Sequence, residues 1–117
     1  MKYKHYAPKA DLKIVEGTQE AVVAEINRRI CEQAAKGEKT GVIATEETKN
    51  LYKGGLVKSI GRRSDEEAIA RHLYSVLREF DESEVTQIYS EAFDTPNMGQ
   101  AIMNRLVKAA GHQIIRL

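Results

Sequence analysis

Two adjacent arginines, Arg62 and Arg63, stand between Gly61 and Ser64 where an apolar run ends and a helical pattern begins. In open α/β sheets ligands gather outside the carboxyl ends of the strands. Guanidinium groups beside the first amides of a helix suit an anion. Gly61, Arg62, Arg63 and Ser64 are therefore a candidate anion-binding set. The plainer alternative is a glycine turn flanked by two solvated arginines. A second group stands at the start of the chain, in MKYKHYAPKA, where Lys2, Tyr3, Lys4, His5 and Tyr6 precede Pro8. Its amphipathic rings can exclude water while hydroxyl and imidazole reach polar atoms. Aromatics interleaved with positive charge also suit stacking on unpaired bases.

Other chemistries find little support. His5, His72 and His112 are far apart and have no cysteine or carboxylate at ligand spacing, which argues against a metal site. No G-x-G-x-x-G follows a strand. Gly37-Glu38-Lys39-Thr40 has the look of a phosphate loop's tail, but Glu38 separates the glycine from the lysine. It also leads from helix to strand, the wrong direction for a helix N-terminus to cradle phosphate. The single cysteine, Cys31, reads as a small core hydrophobe rather than a nucleophile. Tyr74 and Tyr89 read as half-buried packing residues with wet hydroxyls.

The elements that must carry these groups follow from periodicity. Met1–Ala10 is an extended linker, because Pro8 biases Ala7 away from helix. Leu12–Val15 is a short strand. Thr18 caps a helix running to about Lys36, with Val22, Ile26, Ile30 and Ala34 on one face; Gly37 ends it. Gly41–Thr45 is apolar enough for a strand buried on both faces, and Leu56–Ile60 is a third strand after Gly54-Gly55. Ser64 to Glu67 spells a capping box. The helix it opens carries Ile69, Leu73, Val76, Leu77 and Phe80. Val85–Ser90 is a fourth strand. Asp94 or Thr95 caps a last helix with Pro96 at its first position and Met98, Ile102, Leu106 and Ala109 inward. Gly111 stops that helix, and Ile114–Leu117 adds an edge strand. Strands alternating with helices imply a small Rossmann-like three-layer α/β/α sandwich around a mainly parallel sheet of four to five strands. The strand order does not follow from the pattern.

The chain has 117 residues, enough for one domain with a core of its own. With 42% hydrophobic and 30% charged residues it reads as globular, and a net charge of +1 supplies no global field for nucleic acid or membrane. No apolar run approaches the ~20 residues of a membrane span. One cysteine is compatible with a reducing cytoplasm.

Several of these segments resemble one family. MKYKHYAPKA is similar to the interdomain linker of the long form of threonylcarbamoyl-AMP synthase, whose motif reads Pro-Gly-Met-[Lys/Arg]-Tyr-x-His-Tyr-Ala-Pro; Met1, Lys2, Tyr3, His5, Tyr6, Ala7 and Pro8 match it. IGRRSDEEAIARHLYSVLREFDE resembles the family's Gly-x-Arg turn and following helix through Gly61, Arg63, Ala70, Arg71, Leu73, Leu77, Arg78 and Asp81. It departs at His72, where asparagine is usual. MGQAIMNRLVKAAG resembles the closing helix through Gly99, Ala101, Ile102, Asn104, Arg105, Leu106, Lys108, Ala109 and Ala110. The likeness runs from Met1 to Gly111.

The resemblance implies residues 1–10 as interdomain linker and 11–117 as a C-terminal accessory domain, the SUA-five domain. The YrdC-type catalytic domain that precedes the linker in the family is absent from this sequence. The family's enzyme makes threonylcarbamoyl-AMP and pyrophosphate from L-threonine, bicarbonate and ATP, for threonylcarbamoyladenosine modification of tRNA. On this reading Lys2, Tyr3, His5 and Tyr6 contact the catalytic domain as a lid, and this portion is catalytically inert alone. Without the catalytic half the segment is expected to be disordered or held by contacts with a second copy. ATP and Mg are expected only for the whole enzyme, with no cofactor in this portion. The expected partners are the catalytic domain, tRNA only indirectly, and in isolation a second copy of the chain. An RNA- or small-anion-binding module without a catalytic role is the competing reading.

Overall fold

A computed structural model describes residues 8–93 and 97–117. The elements run β1 (Asp11–Glu16), α1 (Gln19–Ala35), β2 (Thr40–Ala44), a 3-10 turn (Lys49–Leu51), β3 (Leu56–Ser59), α2 (Glu66–Asp81), β4 (Gln87–Glu91), α3 (Gly99–Ala109) and β5 (Ile114–Arg116). The five strands form one sheet in the order β3-β2-β4-β1-β5. Every pairing is parallel; Leu12 lies opposite Ile88, and Gly41 opposite both Ile88 and Leu56. Among the described residues, the expected α/β/α sandwich is thus a five-stranded, wholly parallel sheet with three helices.

Strand alternation sends neighbouring side chains to opposite faces. Leu12, Ile14, Ile43 and Ile88 join Ile69, Leu73, Leu77 and Phe80 of α2 and Ile102 and Leu106 of α3 in one core. Val15, Val42, Ala44 and Tyr89 join Val22, Ile26 and Ile30 of α1 in the other. Each such fully buried aliphatic or aromatic side chain contributes about 1.5–3 kcal/mol. The first core is built around Phe80, whose ring lies where Gly41 would carry a side chain: a Cβ there would stand 2.5 Å from Cε1. The glycine in β2 is a close-approach residue, not a turn.

Local signals set the helix ends. The Thr18 hydroxyl accepts the Ala21 amide, as expected of an N-cap. Gly37, at φ +79, closes α1 with its amide donating to the Ala34 carbonyl. Three helix expectations need correction. The cap of α2 is Asp65, which accepts the Ala68 amide, one residue after the Ser64 of the proposed box. The last helix begins at Gly99 rather than Pro96; Asp94, Thr95 and Pro96 lie outside the described residues. The Glu66 carboxylate accepts the Asn97 and Met98 amides just before it, so a side chain of α2 caps the start of α3. Ala34, expected on the buried stripe of α1, is exposed.

Candidate functional site

β1 and β4 are neighbours, yet the chain leaves β1 into α1 on one face and leaves β4 into α3 on the other. Loops that part in this way leave a crevice at the carboxyl ends of the two strands. A cleft of about 800 Å³ lies there. Glu16 from β1, Gly17 just after it, Gln19 from α1, Glu91 from β4, Arg116 from β5 and Arg63 from the turn before α2 supply its polar lining. Val15, Val22, Met103 and Leu117 supply apolar wall.

Glu91 anchors the floor. It is 3% exposed, and three side chains from two connecting segments converge on its carboxylate. From the segment after β2, Thr48 Oγ1 donates to Oε2 at 2.6 Å and the Tyr52 hydroxyl donates to the same oxygen at 2.5 Å. From the turn after β3, Arg63 Nη2 donates to Oε1 at 2.7 Å. Arg63 also donates from Nη1 to the Ala92 carbonyl at 3.0 Å, and its guanidinium lies 5.3 Å from the centre of the Phe93 ring. A buried carboxylate with both oxygens accepting charge-assisted or hydroxyl bonds is well compensated. Burial first, then the hydrogen bond to Glu91, pushes the Tyr52 hydroxyl well above its ordinary range, so it remains a donor.

The Gly61–Ser64 set is partly drawn into this cluster. Gly61 has φ +121, and a Cβ there would lie 3.3 Å from Ala68, so glycine suits both the backbone and the packing of the turn. Its carbonyl accepts the Glu46 amide. The Arg63 amide donates to both oxygens of Glu47 at 3.1 and 3.2 Å, and that backbone bond holds the Glu47 carboxyl below the usual carboxylate range. The turn's amide at Arg63 is therefore occupied, while the Arg63 side chain lines the cleft. Arg62 and Ser64 are exposed and do not line the cleft. Lys2, Tyr3, His5 and Tyr6 lie outside the described residues.

Across the cleft, Arg116 Nε donates to Glu16 Oε1 at 3.1 Å, and the Leu117 amide donates to the Glu16 carbonyl at 3.0 Å. Gly17 keeps this corner narrow: a Cβ there would lie 3.2 Å from Leu117 Cβ. Among the described residues, no group of three His, Cys, Asp or Glu could hold a metal ion, and no helix is long and apolar enough to cross a membrane. Cys31 is exposed, not the core hydrophobe expected, because it sits one residue past the buried Ile30 and is turned about 100° away. Tyr89 is buried rather than half-buried, with Arg29 5.7 Å above its ring; Tyr74 is exposed.

Sequence reasoning did not pick out Glu16, Tyr52, Glu91 or Arg116. A signal for two of them was present: Glu16 and Glu91 each close an apolar strand, where the strand-end rule places ligand contacts. Tyr52 and Arg116 carry no such mark, since only the tertiary fold brings Tyr52 to Glu91 and Arg116 to the crevice.

A family model described as the C-terminal domain of threonylcarbamoyl-AMP synthase matches residues 1–111. The threonylcarbamoyl-AMP synthase of Bacillus subtilis is 47% identical over 116 residues, covering 99% of this chain and 32% of that protein. That of Pyrococcus abyssi is 38% identical over 117 residues, covering all of this chain and 33% of that protein. The chain thus spans about a third of the length of the curated relatives it matches. Among solved structures, P. abyssi Sua5 complexed with L-threonine superposes with a TM-score of 0.85 at 38% identity, over 100% of this chain and 33% of that one. A C-terminal Sua5 domain from Pyrococcus horikoshii gives 0.74 at 31% identity, over 95% of this chain and 100% of that one.

Proposed function

The chain belongs to the family of threonylcarbamoyl-AMP synthase C-terminal domains, and from that premise we propose that it is the accessory part of such an enzyme. In this reading a catalytic domain forms threonylcarbamoyl-AMP and pyrophosphate from L-threonine, bicarbonate and ATP, toward threonylcarbamoyladenosine in tRNA, in the cytoplasm. The ATP and its Mg belong to that other domain. The α/β domain holds the linker in place and adjusts its closure, while Lys2, Tyr3, His5 and Tyr6 cover the catalytic mouth. Rings on a proline-stiffened segment lose little conformational freedom on closing and exclude water from the reacting groups.

The observation carrying this reading is that the family match runs unbroken over residues 1–111, the opening segment together with most of the α/β domain. The structure is compatible with it: where the linker meets the domain, the Lys9 amide donates to Asp81 at 2.9 Å, fixing the chain's entry to the end of α2. The test is complementation. A separately made catalytic domain, mixed with this chain, should form threonylcarbamoyl-AMP faster than alone, and Tyr3→Ala with His5→Ala should abolish the gain. No association between the two parts and no gain in rate would overturn the proposal.

A further inference from the structure

We propose that the cleft between the carboxyl ends of β1 and β4 is a binding site, within this domain itself, for a small organic oxyanion held by Arg63 and Arg116. The ligand class follows from the supply of donors. A guanidinium carries five N–H groups. Arg63 commits Nη1 to Ala92 and Nη2 to Glu91, and Arg116 commits Nε to Glu16. The other N–H groups of both arginines have no partner among the described residues, and both side chains line the cleft. The carboxylates there offer far less in return. Both oxygens of Glu91 already accept bonds, leaving Glu16 as the acid with an uncommitted oxygen. A site rich in free donors suits a phosphate or carboxylate group, and the open oxygen of Glu16 suits a hydroxyl or amino group on the same molecule.

The two arginines are built differently. Arg63 is clamped by Glu91, Ala92 and the Phe93 ring before any ligand arrives, so little ordering is lost when it binds. Arg116 has a side chain 71% exposed, free to close over the ligand from the β5 side. Met103 and Leu117 provide apolar surface for a carbon skeleton, which favours an organic anion over inorganic phosphate. A volume of about 800 Å³ falls within the usual range for small-molecule sites. The site stands on this domain's own geometry and does not require the accessory role.

Isothermal titration of the 117-residue chain tests it, with AMP, malate, succinate and inorganic phosphate as probes. At least one of AMP and malate should bind saturably, more tightly than inorganic phosphate. If malate binds, succinate, which lacks the hydroxyl for Glu16, should bind more weakly. Arg116→Ala, at an exposed position, should keep the fold and weaken binding about tenfold, the equivalent of one charge-assisted bond. Arg63→Lys, which keeps the charge but not the fork, should weaken it as much. No heat from any probe up to about 10 mM would overturn the proposal, a millimolar Kd being about the weakest useful affinity. Binding in both variants as tight as in the native chain would overturn it too. Neither result would touch the complementation test, so the two readings fail separately.

Discussion

Replacing Glu91 with alanine removes the acceptor that Thr48, Tyr52 and Arg63 share, and the cost can be worked through donor by donor. The Tyr52 hydroxyl, on a residue 7% exposed, is left with no described acceptor, a loss of about 1–3 kcal/mol. Thr48 loses less, because its hydroxyl keeps the Thr45 hydroxyl at 3.0 Å. Arg63 loses its carboxylate, yet its side chain is 38% exposed and water can reach it. The sum falls at about 3 kcal/mol, the lower end for breaking a buried ion pair. A domain of this size has about 5–15 kcal/mol in all. Urea unfolding followed by circular dichroism should show a midpoint lowered by about 2 M, at a slope of about 1.5 kcal/mol/M. The reasoning is sharper in a double-mutant cycle. Tyr52→Phe should cost about 1 kcal/mol in the native background and recover about 1 kcal/mol in Glu91→Ala, where it removes a stranded hydroxyl. A loss below about 1 kcal/mol for Glu91→Ala, with Tyr52→Phe simply additive to it, would refute the idea that this carboxylate ties the loops together.

Gly41→Ala should destabilise by about 2 kcal/mol or more through collision with the Phe80 ring. That lowers the melting temperature by roughly 8 °C, and Phe80→Leu in the same chain should recover part of the loss in a thermal melt. Stability should also fall in acid. Asp11, Glu25 and Glu47 have carboxyls held low, chiefly by the hydrogen bonds of Lys13, Arg28 and the Arg63 amide respectively. Their contributions are complete above the ordinary values of 3.8 and 4.5 and disappear as pH drops through the lower folded ones. Urea midpoints at pH 7, 5 and 3 check this; equal values at pH 5 and 3 would contradict it. At the alkaline end the sign reverses for Tyr52, whose raised value makes stability fall above the ordinary 10.0, an effect that Tyr52→Phe should remove. Cys31, exposed on α1, should react with a thiol reagent in the native state at a rate that denaturant barely changes, and Cys31→Ser should move stability by under about 0.5 kcal/mol.

The elements are legible along the chain, because each is written in short-range terms. Val22, Ile26 and Ile30 repeat at helical spacing, Thr18 and Gly37 punctuate α1, and the strands Leu12–Val15 and Gly41–Thr45 were legible from apolar runs, each within a residue of its observed ends. The linker motif and the two helix motifs gave the family, which the match over residues 1–111 bears out. Errors arose where a residue answers to a distant partner. Ser64 looked like a cap until the position of Asp65 fixed the turn, and Glu66 turned out to cap α3, 31 and 32 residues away. The strand order β3-β2-β4-β1-β5 and, with it, the crevice between β1 and β4 come from the assembled sheet. Parallel pairing leaves no local trace, since the partners Ile14 and Ile114 are joined by almost the whole chain. For the same reason Tyr52, Arg63, Glu91 and Arg116, which belong to four separate segments, become one cluster of charges and donors only after the sheet has assembled.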